Sequence, residues 1–583
     1  MADKEKLGLF AGETTPDPQI VWKFYDKGRD YNNSVNLDDS VRVNENFYIG
    51  KQWEGVNSNG LSTPVLNFLK RVVGFQVSTI TSDNITVTAS AQAAAADTTS
   101  FLEPVRIVNE EFARIMEQNR LSSLFRKFSR NAAVDGDGCI YSYWDDTAET
   151  GQRRKGAVRS EIIENTRVFF GDPNSSDVQA QPYIIISERQ FVREVKLRAR
   201  ANGVKNISSI RADSEESEAV DAVKRVDDKC TVLLTLWRDD DSGEIWAYES
   251  TRDVEIKEAC SLGIKLYPLV WLNWDYIQNS YHGQAMITGL IPNQILVNKL
   301  WAMSGTSLTR TAFPKIMYDK TRIAKWDNRP GGAVPVAGGD MNNVARIIDP
   351  AQISPQVSQL IQLLVEQTEQ SMGATSVALG DTRPDNTSAI IALQRAASTP
   401  IELTKQNLYQ CIEDLFRIYL EFMAEYYGER TVDMPTPPEA RQAMEFTGAT
   451  HIPDEIPVPF DFGELKLHPM TLKLDVGASS YYSEIASIQT LDNLLMQGKI
   501  STVQYLDRIP DGYIPNRRGL INEMKAQELE QQQMMMQQQA AAEAAPEGGS
   551  ITDQGQAPEI PTGGGYNALA RKVNSTGDIG GLI

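Results

Sequence analysis

At 583 residues, 41% of them apolar, the chain is long enough for several domains and has enough hydrophobic side chains to bury real cores. Lys and Arg number 57 against 77 Asp and Glu, a formal charge of −20 with a pI near 4.8, so counterion release cannot drive general, tight nucleic-acid binding by the whole chain; a local basic patch stays open. Four cysteines without CxxC spacing (Cys139, Cys230, Cys260, Cys411), a first stretch MADKEKLGLF without an apolar signal core, and no apolar run of the roughly 18 to 20 residues a bilayer span requires predict reduced, mostly buried thiols, cytosolic folding and no membrane anchor.

In chain order, residues 37–49 read as a helix ended by Gly50, and a second helix follows Pro64 with Leu66, Leu69, Val73 and Val77 approximating one apolar face. Two more lie between Glu103 and Ala132, with Val105, Val108, Phe112, Ile115 and Met116 in the first and Leu121, Leu124, Phe125 and Phe128 in the second. These four are expected to form one packed layer. Strands begin at DGDG, Asp135 to Gly138, where glycines free the backbone and Cys139, Tyr141 and Tyr143 alternate. Others are predicted at Arg167 to Phe170, at Tyr183 to Ser187, and in a hairpin of Thr231 to Trp237 and Glu244 to Tyr248. The region reads as α+β with antiparallel pairing, and Asp213 to Asp221 as an acidic, solvated loop or helix edge.

From Tyr281 the spacing is helical again through Ile287, Leu290, Ile291, Gln294, Val297, Asn298 and Trp301, with Pro292 as a kink. A small β-prone insert follows Phe313-Pro314 and includes RPGGAVPVAGG from Arg329, whose prolines and glycines forbid a helix. Ser354 and Pro355 supply an N-cap and N1 pair for a helix striped by Val357, Leu360, Ile361, Leu364, Val365 and Thr368 up to Gly373. After a Gly/Asp/Pro/Asn loop to Thr387, a long helix runs to Tyr427 with Pro400 in its middle, roughly 60 Å if straight at 1.5 Å per residue. Leu408, Ile412, Leu415, Tyr419, Phe422 and Tyr426 form its packing seam. Pro435 to Pro459 reads as irregular or edge strand, and Leu465 to Val476 as a strand returning to the β region. Helix resumes after Tyr481, with Ser501 and Gln504 as a capping box, and a Gln/Met/Ala-rich helix from Arg517 to about Ala545 precedes a Gly/Pro-rich tail expected to be disordered.

No GxxxxGK[ST] phosphate loop, HExxH zinc motif or GxSxG elbow occurs. DGDG fails as a calcium loop because Cys139 and Ile140 occupy its fifth and sixth positions. Paired carboxylates are uninformative in so acidic a chain. No catalytic residue, cofactor or metal is therefore expected. The insert does gather Lys315, Lys320, Arg322, Lys325, Trp326 and Arg329, with Tyr318 nearby, which fits either a docking surface for an acidic partner or ordinary solvated surface.

Five strings in order over some four fifths of the chain resemble pieces of the portal proteins of tailed bacteriophages: NFYIGKQW at Asn46, PVLNFLKRVVGFQVS at Pro64, RVFFGDPNSSDVQAQPYIII at Arg167, PLVWLNWDYIQNSYHGQAMITGLIPNQILVNKLWAM at Pro268 and GATSVALGDTRPDNTSAIIALQRAAST at Gly373. The resemblance implies an α+β portal fold with an α/β wing, a two-helix stem, a small α/β clip, a long kinked tunnel helix and a helical crown. It divides the chain into an N-terminal wing (1–280), stem helix 1 (281–312), clip (313–353), stem helix 2 (354–372), tunnel loop (373–387), long helix and C-terminal wing (388–480), crown (481–545) and tail (546–583). The family forms a ring, normally of twelve, at one capsid vertex of the virion, and DNA passes through its centre. By the same resemblance Val377, Leu379, Asp381, Arg383 and Asp385 would line the channel. The clip cations would dock the terminase large subunit and then head–tail adaptor or tail proteins, and the capsid protein and scaffold would surround the ring. A ring needs a heterologous contact that closes, and an acidic excess suits a conduit that must not hold a polyanion. The alternative is a capsid-associated structural or adaptor protein without a channel.

Overall fold

Asp17 and Pro18 open the first helix, α1 (Pro18–Ser34): the Asp17 carboxylate accepts from the Gln19 amide and proline supplies a pre-set φ. The computed structural model describes residues 16–58, 60, 62–82, 85–91, 102–213, 228–312, 315–327, 334–338, 344–348, 354–374, 401–436, 455–467, 470–476, 481–509, 520–521 and 524. The sequence reading has no helix at α1, because its buried Val21, Tyr25 and Asn32 are too sparse to make a stripe. α2 (Leu37–Ile49) ends as expected at Gly50, whose φ of +96° lets its amide reach the Asn46 carbonyl. α3 (Phe68–Ile80) starts later than expected, since Asn67 caps it by accepting from Lys70 N–H. Leu66 therefore stays outside the helix and exposed, and the buried face is Phe68, Leu69, Val72, Val73, Gln76 and Ile80.

A strand the sequence reading lacks, β1 (Ile85–Ala91), leads to α4 (Leu102–Gln118) and α5 (Leu121–Asp135), both anticipated. The expected four-helix layer is corrected: α2, α3 and α5 pack together, while α4 lies mainly on β1. After Gly136 the chain forms β2 (Asp137–Asp145), β3 (Ala157–Ile163), β4 (Val168–Phe170), β5 (Tyr183–Phe191), α6 (Val192–Ala201), β6 (Lys229–Arg238), β7 (Ile245–Ser250), β8 (Glu255–Ser261) and β9 (Leu269–Asn273). The β6–β7 hairpin pairs Trp237 with Trp246, and β4-β5-β6-β7-β8 make an antiparallel sheet; β3-β2-β9 make a second. In that second sheet β2 is central, and both α5 and the helix of residues 402–422 pack on the sheet, so Cys139, Ile140 and Ser142, on alternate sides of the strand, are all buried.

α7 (Met286–Ala312) and α8 (Gln356–Ser371) flank a two-stranded ladder of β10 (Lys315–Tyr318) and β11 (Ala345–Ile348). α9 (Glu402–Phe422) continues into a π-turn, Met423–Tyr427. Its predicted seam is buried through Leu408, Ile412, Leu415, Tyr419 and Phe422, and Phe416 meets Phe112 edge-on with ring centroids 4.9 Å apart. Residues 388–400, including the Pro400 kink, lie outside the described residues. β12 (Glu429–Pro435) and β13 (Glu455–Asp461) form a ladder in which Pro457 and Pro459 sit on an edge strand, as their missing amides require. The strand expected at Leu465–Val476 is shorter: Phe462–Leu467 is a 3₁₀ turn, and β14 (Met470–Val476) pairs with β1 rather than with the larger sheets. α10 (Tyr481–Met496) and α11 (Thr502–Arg508) follow, the latter with the predicted Ser501–Gln504 capping box. The chain divides into two units, Met1–Ala486 and Ser487–Ile583; in the second, Leu506, Ile509 and Ile521 form a small core. The Gln/Met/Ala-rich segment is described only at 520–521 and 524, and the tail lies outside the described residues.

All four cysteines are free, and only Cys260 is more than slightly exposed. Among the described residues no helix is long and apolar enough to cross a membrane.

Candidate functional site

The segment between β9 and α9 is assembled from a buried carboxylate outward. Gly136, at φ +100°, delivers Asp137 to a hub where its carboxylate accepts from Gly283 N–H (2.7 Å), Asn273 Nδ2 (2.8 Å) and Asn165 Nδ2 (3.3 Å) and meets His282 Nδ1 at 2.7 Å. His282 Nε2 lies 3.1 Å from Asn32 Oδ1, to which the Tyr281 hydroxyl donates. The hub thus fixes the turn that launches α7 against both β2 and α1. α7 accordingly begins at Met286, five residues after the sequence expectation, because Tyr281 and His282 are occupied in the hub.

Along its first half α7 buries Met286, Ile287, Leu290, Gln294, Val297, Asn298 and Ala302. The polar pair is linked into a relay: Gln294 Nε2 donates to Leu66 O (2.8 Å) and to Asn298 Oδ1 (2.9 Å), Asn298 Nδ2 to Gln52 Oε1 (2.6 Å), and Gln52 Nε2 to Phe47 O (3.0 Å), while Gln294 Oε1 is buried without a partner. Asn293 Nδ2 donates to Thr368 Oγ1 at 3.1 Å and ties α7 to α8. The end of α8 is fastened to α3, where Gln76 Nε2 donates to Met372 O at 2.8 Å and Arg71 stands 3.6 Å from Glu369.

Beyond Ala302 these anchors stop. Trp301 is 46% exposed, contrary to its place in the predicted stripe, and Met303 and Leu308 are 55% and 72% exposed. α8 repeats the pattern: Ile361 and Thr368 are buried, but Leu360 and Leu363 face solvent. α8 starts one residue later than the expected cap pair implies, with Pro355 rather than Ser354 at its N-cap, although the Ser354 hydroxyl still accepts from Gln356 N–H at 3.3 Å. The β10–β11 ladder pairs Ile316 with Ile347 and Met317 with Arg346, yet neither strand has a buried residue. A lone two-stranded ladder is marginally stable, and full burial of each such apolar side chain is worth about 1.5–3 kcal/mol, so this hairpin carries unused capacity for a partner.

The predicted insert cations among the described residues, Lys315, Lys320, Arg322 and Lys325, are at the surface. Lys315 starts β10, and Lys320, Arg322 and Lys325 occupy the exposed turn after it. Trp326 is half-buried against Tyr318, ring centroids 5.5 Å apart. Arg322 lies 3.8 Å from Asp319, whose carboxyl is held below the usual range chiefly by the Thr321 hydroxyl it accepts from. Arg329 lies outside the described residues, as do the loop residues Val377, Leu379, Asp381, Arg383 and Asp385; only the loop's first residues, Gly373 at φ +74° and buried Ala374, are described. Sequence reasoning missed Arg346, an exposed cation opposite Met317, and it missed the uncovered apolar residues. The sequence around Ala345–Ile348 has no polar–apolar alternation that would have marked the first, and the second carried no signal before the hairpin was placed.

Residues 183–434 match the family described as phage P22-like portal protein. The match runs from β5 to the last turn of ladder in β12 and takes in α7, the insert and α8. No curated protein matches the chain. Among the described residues no group of three or more His, Cys, Asp or Glu side chains is arranged to hold a metal ion.

Proposed function

We propose that this chain is a viral portal protein of a tailed bacteriophage, forming a ring of twelve at one capsid vertex through which double-stranded DNA is packaged and ejected. The observation that carries the reading is the α7–insert–α8 hairpin: it lies within the segment similar to P22-like portal proteins, and its outer half leaves apolar side chains uncovered in the single chain. Neighbouring copies related by a closing head-to-tail contact would cover them. In this reading α7 and α8 are the stem, 313–353 the clip, 373–387 the tunnel loop, residues to 280 and 388–480 the wing, and 481–545 the crown.

The role is mechanical, with no covalent chemistry assigned to any residue. An ATP-driven terminase docks on the clip cations Lys315, Lys320, Arg322, Lys325 and Arg329 and pushes DNA past the loop bearing Val377, Leu379, Asp381, Arg383 and Asp385. Head–tail adaptor or tail proteins later take the motor's place, and the capsid protein surrounds the ring. The formal charge of −20 per copy keeps contacts with DNA weak, as a passage requires.

Negative-stain images of the purified full chain test the proposal. End-on rings with a central hole and a mass of about twelve 64.8 kDa chains are expected. Closed particles without an open axis would favour a non-channel capsid adaptor, and a monomer under every assembly condition would sink the portal reading.

A further inference from the structure

One face of α6 is basic in a strongly acidic molecule. Arg193, Lys196 and Arg200 fall at helical spacing i, i+3 and i+7, on the side opposite Val195 and Ala199, which enter a core with Ile210, Cys230 and Ile256. Arg211 joins them from the segment that crosses alongside, and together they rim a groove of about 610 Å³. Leu197 lies between the cations and is 56% exposed, with Val192 and Ile210 completing an apolar floor. Among the described residues none of the four cations makes an ion pair, whereas the neighbouring Arg198 is paired with Glu249 at 3.4 Å. Like charges at this spacing repel by about 0.2–0.5 kcal/mol per pair, so in isolation the arrangement costs stability.

We propose that this groove docks an acidic amphipathic segment of a partner protein, its carboxylates on Arg193, Lys196, Arg200 and Arg211 and an apolar side chain on Leu197. Two features favour a peptide over nucleic acid: the floor is aliphatic, and the lining has no aromatic ring on which a base could stack. The groove also sits at the end of β6 remote from α9: Val192 N–H donates to Asp228 O beside Lys229, while at the far end, about 30 Å away at 3.3 Å per residue, Arg238 donates to Lys265 O, whose residue bonds Glu421 of α9. The groove shares no lining residue with the α7–insert–α8 surface, and docking is expected whether or not rings form.

The test uses the full chain and a fluorescein-labelled twelve-residue peptide of Glu and Leu at helical spacing, followed by fluorescence anisotropy. Saturable binding is expected, weakened at least tenfold by R193E/K196E/R200E and severalfold by Leu197→Ser. R193Q/K196Q/R200Q provides the same reading if charge reversal disturbs folding, which circular dichroism monitors. The proposal fails if the peptide does not bind, if either triple variant binds it as well as the parent, if a Lys/Leu peptide binds equally, or if a twelve-base-pair DNA duplex binds more tightly with the same dependence on the three cations.

Discussion

Asp135 sits at the end of α5 with its carboxyl pushed up to about 7, first by burial and then by Glu45, Glu164 and Asp137, against the opposing pull of Arg130. A carboxyl raised above its unfolded value of 3.8 stabilises the fold fully only below that pH, and the contribution is lost as pH climbs through about 7. Asp135→Asn is therefore expected to stabilise the chain at pH 8 by about 1–3 kcal/mol and to flatten the pH dependence between about 4 and 7, read by urea denaturation at several pH values. The adjacent Gly136 is constrained differently: at φ +100° an added Cβ would lie 2.7 Å from Gly283 O. Gly136→Ala should cost at least about 2 kcal/mol by the same measurement, and an unchanged midpoint would contradict the geometry. The turn at DGDG was legible from its glycines alone. The hub around Asp137 was not, because its partners Asn165, Asn273, His282 and Gly283 come from 28 to 146 residues away and leave no local spacing to read.

Elements with one-sided burial were the ones the sequence announced. α9 shows its seam in the spacing of Leu408, Ile412, Leu415, Tyr419 and Phe422 because a single core takes that whole face. α7 misled at Trp301, since its apolar residues answer to two environments, one face packed on the helical layer through Ala302 and another face, with Ile295, Leu296 and Trp301, open to solvent. β1 escaped notice because the strand that pairs with it, β14, lies almost 400 residues on. For the insert, exposure of Lys315, Lys320, Arg322 and Lys325 means that reversing their charge should leave the fold intact. Glutamate at all four is expected to weaken binding of the packaging motor at least tenfold in a co-sedimentation titration; unchanged binding would remove the docking role from the clip.

At the level of the molecule, composition disclosed the acidic excess but not where the surplus apolar surface resides. Part of that surface lies on Trp301, Met303, Leu308, Leu360 and Leu363 of the two helices, so polar substitution there should separate assembly from folding. Leu360→Asp with Leu363→Asp is expected to shift the urea midpoint of the isolated chain by no more than about 0.5 kcal/mol while abolishing rings in sedimentation velocity. Rings that persist would place the subunit contact elsewhere. The tethering amides also have a mechanical meaning. Gln294, Asn298 and the Asn293–Thr368 bond all lie on the inner side of Ala302, leaving ten residues of α7, about 15 Å at 1.5 Å per residue, as a cantilever clamped at one end. A sideways load on the tip becomes torque at that root, and the Asn298–Gln52–Phe47 relay hands it directly to the C-terminal end of α2.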